Sequence, residues 1–495
     1  MSMAISTLER SPTFWFYGSA SISYGIKNNA FSYLLLIYAN QVLGLPGYLA
    51  SIALAIAMIW DAISDLLLGH WSDKTSSSLG RRHPFMYVAL FLLPLTFYAL
   101  FNPVIELNDS NTFGYVLMLA LLIRTGTTLF EVPSTALLPD LETDYDRRNK
   151  WLALRHAFGW YGGNGIHTIN MYFWVGAYGF AVQTGYSIYG AVGALLIALA
   201  ILVSALGTQK VAAALPRPAE KFKFTEISTE IQQIFQSVKN RNFAALFFYG
   251  LTVGIAGGLG MALYLYNTTY FFAFSGEQIA VTGLGVLISP AVAYWAAPFL
   301  GKLLGKKLAA ITAILVNILL YPIPYILVLA GWWPEMGSWL SLYIYSFFIV
   351  TEVICGIIGG VLLDSMMADV VEDSEITTNR RSEGLFYAAR GFAAKAISAG
   401  GIIGAGAIVS LVGLDGITSV TEVTHEIRRD LAMLFLPLYC GLFLIGLWVV
   451  STYRISRDDH SSNLSELASR KYSGANAGAL AGDDGDDDDS DDRAG

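Results

Sequence analysis

Runs of about twenty residues almost free of charge set the first limit on what this chain can fold into. Tyr189 to Leu206, Ala309 to Leu329 and Leu431 to Val450 are three of them. A helix rises about 1.5 Å per residue, so each run matches a hydrocarbon layer about 30 Å thick. Only 14% of the 495 residues are charged and 55% are hydrophobic. Soluble domains carry roughly a quarter charged residues, and one water-facing core has no room for this much apolar surface. The expectation is an all-α membrane protein.

Apolar runs fall near 13–40, 48–69, 84–104, 113–138, 152–176 and 187–208, and again near 242–272, 280–300, 308–330, 339–366, 384–412 and 431–452. That pattern predicts twelve transmembrane helices in two six-helix bundles. Residues 1–208 form the first bundle, 209–240 a central cytoplasmic loop and 241–455 the second bundle. Residues 456–495 form a disordered acidic tail, with eight aspartates between Asp483 and Asp492. Residues 1–11 are short and polar and do not resemble a cleavable leader, so the first apolar run is expected to be retained. Lys and Arg gather after every second run: Lys74, Arg81 and Arg82, then Arg147, Arg148 and Lys150, then Lys302, Lys306 and Lys307. The loops near 41–47, 105–112, 177–186, 273–279 and 331–338 hold none, and Arg428 and Arg429 alone break the alternation. Basic loops stay on the cytoplasmic side, which predicts both termini inside the cell membrane.

A charge in the hydrocarbon zone is costly, and it faces a bundle interior or a wet cavity. Asp61 and Asp65 lie one turn apart on a single face of the second run. Two such carboxylates repel, and a cation or a shared proton relieves them. The fourth run carries Arg124 and Glu131, two turns apart on one face, which allows either a ligand contact or a mutual ion pair. Lys395 lies deep in the eleventh run, near Arg390, and the second-run aspartates are its candidate counter-charges. Asn28 and Asn29 give the first run amides suited to hydroxyl-rich ligands. At the basic loops, Asp73 with Arg81 and Arg82, and Asp369 and Glu372 with Arg380 and Arg381, are expected to form salt-bridge latches.

The stretch from Gly69 to Lys74 and on through Gly80-Arg81-Arg82-His83-Pro84-Phe85 resembles the loop signature between spans two and three of the major facilitator superfamily. The Ser-rich insertion before Gly80 is similar to its glycoside–pentoside–hexuronide:cation symporter branch, which includes the melibiose carrier. Trp60 to Asp65, Glu131 to Pro133 with Ala136 to Leu141, and Ala368 to Lys395 extend the resemblance across roughly residues 20–450. It implies cation binding at Asp61 and Asp65, with oxygen ligands from Ser64 and Thr128 and Lys395 beside the ion. Glu131 is implied to accept sugar hydroxyls, and Arg155 to lie near the sugar or the gate. Thr135 stands where the branch has a tryptophan, and Asn28 or Asn29 where it has an aspartate.

The function expected is sodium- or proton-coupled symport of a sugar or glycoside by alternating access. A carrier of lysophospholipid or another amphiphile is the alternative. Neither histidine nor cysteine spacing suggests a metal centre, and no phosphate loop or nucleophile–base pair stands out. The chain is therefore expected to be no enzyme, to need no cofactor beyond the coupling ion and to act as a monomer. Its expected partners are the bilayer and a small molecule, not nucleic acid.

Overall fold

The structure is a computed structural model that describes residues 12–142, 144–214, 240–378, 399–455, 459–463, 465–466 and 469. Among these residues regular structure is helical. We label the long helices α1 (Pro12–Asn29), α2 (Gly47–Asp73), α3 (His83–Phe101), α4 (Thr112–Ala136), α5 (Tyr145–Phe173) and α6 (Gln183–Ala213). The second set is α7 (Arg241–Tyr266), α8 (Gly276–Leu304), α9 (Lys306–Leu320), α10 (Trp339–Thr378), α11 (Ala399–Leu411) and α12 (His425–Ser451). The central stretch 215–239, the segment with Arg380, Arg381, Arg390 and Lys395, and the acidic run 483–492 lie outside the described residues.

Nine of the described helices are long and apolar enough to cross a membrane. Outside that group, α1 and α5 are too polar or interrupted, and only a short part of α11 is described. The polarity has a positional cause: α1 and α5 both line the central cavity, where amides and charges meet water or ligand rather than lipid. Large apolar side chains such as Phe91, Trp295, Phe347 and Trp448 instead point outward and are exposed, as a lipid-facing surface requires.

Local signals set the helix ends. Asn240 caps α7 through the Phe243 amide at 3.0 Å, and Asp144 caps α5 through Arg147 at 3.0 Å. At α8, Ser275 and Gln278 form a reciprocal capping box. The two halves repeat one unusual end. After α1 the backbone widens into π turns at Ala30–Leu34 and Tyr38–Val42, and after α7 into one at Asn267–Phe271. Leu43 N bonds Tyr38 O at 3.1 Å and Leu45 N bonds Ala39 O at 2.9 Å. Phe272 N to Asn267 O and Phe274 N to Thr268 O, both 2.9 Å, reproduce that pattern in the second half. The residue closing each turn has a positive φ: Gly44 at 71° and Ala273 at 59°. Glycine bears that conformation freely, whereas alanine is strained in it.

The halves meet at the end that carries these turns. Asp415, in the loop before α12, accepts Asn40 Nδ2 at 2.7 Å and the Gly47 amide at 2.9 Å. Gln41 Nε2 donates to Leu414 O at 2.9 Å, and Tyr266 donates to Asn40 Oδ1 at 3.0 Å. Gly176 and Gly276 approach so closely that a Cβ on either would overlap the other's backbone. Tyr48 N donates to Ser410 Oγ at 3.1 Å, so residues 40–48 bond across to both Tyr266 and 410–415.

Candidate functional site

Two polar regions lie inside this frame. The first is a buried cluster between α2 and α4. Asp61 and Ser64 are each 2% exposed and Thr128 is 1% exposed. Ser64 Oγ and Thr128 Oγ1 are 3.0 Å apart, and Thr128 Oγ1 is 3.5 Å from Asp61 Oδ1. Asp65, half-buried, follows one turn later on α2. Carboxylate and hydroxyl oxygens gathered this way suit a hard cation, which takes oxygen ligands. Lys395, implied to lie beside the ion, is outside the described residues.

Arg124 corrects one expectation. It does not line the cavity with Glu131; its Nη1 lies 3.4 Å from Asp61 Oδ2, and its guanidinium sits 4.3 Å from the centre of the Phe31 ring. A buried guanidinium requires a counter-charge. Among the described residues the one within reach of Arg124 is Asp61 on the neighbouring helix, not Glu131 two turns along its own. Glu131 takes a different arginine: Arg155 Nη2 from α5 lies 3.0 Å from Glu131 Oε1 and donates to Ser134 Oγ at 2.8 Å.

The second region is a central cavity of about 1120 Å³ between the halves. Asn28, Asn29, Glu131, Thr135 and Arg155 line it, so the structure brings together five of the six residues singled out for substrate. Asn29 Nδ2 donates to Asn164 Oδ1 at 3.1 Å, and Thr135 Oγ1 to Glu131 Oε1 at 3.5 Å. Several polar atoms of lining residues make no hydrogen bond among the described residues: Glu131 Oε2, Arg155 Nη1, Trp160 Nε1 and both ring nitrogens of His167. Both donors and acceptors are thus present in the wall. Tyr33, Tyr264, Trp160 and Tyr294 add aromatic surface. Away from the closed end, Asn149, Ala153, His156 and Tyr294 form exposed parts of the lining.

Sequence reasoning did not single out Glu352, Tyr439, Trp160, Asn164 or His167, all of which line the cavity. A signal was present for two of them. Glu352 interrupts the apolar run 339–366, and His167 lies inside 152–176. The rule that intramembrane ionisable groups are functional applies to both.

At the basic-loop end the pairs differ from the expected latches. Arg82 does bond Asp73, at 2.8 Å, but it also reaches Asp140 at 2.5 Å and the Ala136 carbonyl. Arg81 goes to Asp140 at 2.8 Å rather than to Asp73. Asp140 sits just past α4, where the turn Leu138–Leu141 aims it at both guanidinia. Asp369 pairs with Lys306 at 2.6 Å, and His460 lies 3.3 Å from Asp369 and 3.0 Å from Glu372. The expected partners Arg380 and Arg381 are outside the described residues. Each arginine or lysine pair named here stays within one half.

An apolar outer surface, two helical bundles and a polar cavity between them define a multi-pass membrane transporter rather than an enzyme. The chain belongs to the MFS/sugar transport protein family, whose sequence profile it matches over residues 16–457. It is 32% identical over 152 residues to an uncharacterized symporter of Synechocystis sp., covering 29% of this chain and 27% of the relative. It is 28% identical over 143 residues to the sodium-dependent lysophosphatidylcholine symporter 1 of Mus musculus, covering 28% of this chain and 27% of that protein. Each match thus spans about a quarter of the relative's length. Among solved structures, the nucleoside transporter NupG is 15% identical with a TM-score of 0.60, covering 90% of this chain and all of NupG. A bacterial homologue of the human drug peptide transporters is 13% identical with a TM-score of 0.61, over 92% of this chain and 99% of the other. At these identities the likeness is one of fold.

Proposed function

We propose that the protein is a sodium- or proton-coupled symporter of a sugar or glycoside, of the glycoside–pentoside–hexuronide type. The coupling ion binds at Asp61 and Asp65 with Ser64, Thr128 and Lys395, and the substrate binds in the cavity against Asn28, Asn29, Glu131, Thr135 and Arg155. The observation that carries the reading is the cavity wall. Glu131 Oε2 accepts, Arg155 Nη1 and Trp160 Nε1 donate, and none of the three is used among the described residues. A polyhydroxyl ligand supplies both partners, because each hydroxyl donates once and accepts twice. Aromatic faces beside them suit the apolar C–H face of a sugar ring.

With the basic loops on the cytoplasmic side, the closed end faces outward and the cavity is open to the cell interior. Transport then requires the Asp415 contacts to break as the bundles rock. A ligand and ion that neutralise the buried carboxylates remove the cost of closing a low-dielectric site around bare charge. A lysolipid is the second reading, favoured by a volume above the usual 300–1,000 Å³ of small-ligand pockets, roughly stated. Uptake into proteoliposomes from a pool of labelled sugars and labelled lysolipids, with sodium and pH gradients imposed separately, separates the two. Uptake of lysolipid alone refutes the sugar reading.

A further inference from the structure

The charges described above belong mostly to the first half, yet a carrier that closes around its ligand needs contacts from both. Glu352 on α10 lines the cavity from the second half. Its Oε1 accepts the Tyr439 hydroxyl from α12 at 3.2 Å. Tyr439 is fixed in turn by stacking on Tyr321, with ring centroids 4.5 Å apart and planes at 26°. Asp61, Glu131 and Asp369 each have an arginine or lysine partner. Glu352 has none among the described residues, so its carboxylate is held in place by a neutral donor.

His167 on α5 supplies the matching group from the first half. It is 8% exposed, lines the cavity, and neither ring nitrogen has a hydrogen-bond partner among the described residues. Its ring packs 5.1 Å from Tyr33, which is itself 5.6 Å from Tyr264 of α7. The imidazole is therefore wedged at the seam between the halves, offering one donor and one acceptor in its neutral form.

We infer that Glu352, Tyr439 and His167 form a second ligand-binding pole, and that the substrate is an extended glycoside with hydroxyl groups at both ends. This rests on the sugar reading of the same cavity. Arg155 and His167 lie on one helix, twelve residues apart in sequence, or about 18 Å along its axis. A single sugar ring cannot reach from the Glu131–Arg155 pole to the Glu352–His167 pole, whereas two or three linked rings approach that span. An amphiphile with one polar end leaves one pole without partners, and unpaired polar groups in a closed site are costly. The cavity volume of about 1120 Å³ accommodates the longer ligand.

The test uses the full chain in proteoliposomes, with methyl glucoside, galactoside and xyloside as one-ring probes and α- and β-linked disaccharides of the same sugars as two-ring probes. The wild type is expected to bind a two-ring probe at least tenfold more tightly than its one-ring counterpart. In Glu352→Gln and His167→Phe that ratio falls by about tenfold, towards one, the loss expected for a hydrogen bond to a charged or buried partner. Tyr439→Phe, which keeps the ring stack, lowers the ratio less. His167→Gln, which keeps a donor and an acceptor, recovers part of it and controls for misfolding. A ratio near one in the wild type, or one unchanged in both Glu352→Gln and His167→Phe, overturns the inference while leaving sugar transport standing. Binding of no glycoside by the wild type overturns the sugar reading and the second pole with it.

Discussion

Asp415 is the pivot of the closed end, and removing its side chain should open that end by a calculable amount. Its Oδ1 holds both Asn40 Nδ2 and the first amide of α2. Hydrogen bonds to charged groups are worth about 1.5–3 kcal/mol each when shielded. Asp415 itself is exposed, and water competes for both bonds. About 1–2 kcal/mol in total is therefore the appropriate figure, and it acts only on the closed state. At about 1.4 kcal/mol per factor of ten, Asp415→Ala should raise the ratio of molecules open at this end to molecules closed there by about 5- to 30-fold. Asp415→Asn keeps an acceptor and loses only the charge at a helix N-terminus, about 0.3–1 kcal/mol, so its shift is at most about fivefold. Spin labels at Val104 and Trp332 read the change, because the two residues lie on loops of opposite halves at this end and are 75% and 80% exposed. Cys355 and Cys440 are replaced first so that only the labels react. Double electron–electron resonance should show a longer distance growing in the order wild type, Asn, Ala. An Ala variant with the wild-type distance distribution refutes the reasoning that this contact governs closure.

The remaining predictions concern other parts of the frame. Arg124→Gln leaves Asp61 buried without its guanidinium and should cost about 3–5 kcal/mol, whereas adding Asp61→Asn should recover most of it; thermal unfolding in detergent measures both. Ala273→Gly removes a left-handed alanine and should gain about 1 kcal/mol in the same assay, with Gly44→Ala losing a similar amount at the equivalent turn. Gly276→Ala puts a methyl group into the Gly176 backbone, and should lengthen the Val104–Trp332 distance as Asp415→Ala does.

The lipid-crossing helices were legible because length and hydropathy are local properties. The first and fifth spans were harder to delimit, since α1 and α5 trade apolar surface for cavity-lining groups, and the first span runs past α1 into π turns that no residue pattern announces. Asp61 stood out in the sequence as a carboxylate inside an apolar run, whereas Ser64 and Thr128 were implied only by the family resemblance. The partner of Arg124 was not legible, because helical spacing offered Glu131 while the choice depends on how α2 packs beside α4. Asp140 took both guanidinia at the basic loop for the same reason: the turn after α4 sets its direction. Glu352 and His167 carried a visible signal, but only the tertiary structure puts them on a single cavity.

The central claim is that the carboxylates of α2 couple an ion gradient to movement of substrate through the cavity. Uptake of a transported glycoside into proteoliposomes, measured for the wild type and Asp65→Asn with and without a sodium or proton gradient, tests it most directly. The account predicts that the wild type accumulates substrate against its gradient, while Asp65→Asn only exchanges it down to equilibrium. Undiminished uphill accumulation in Asp65→Asn would contradict it.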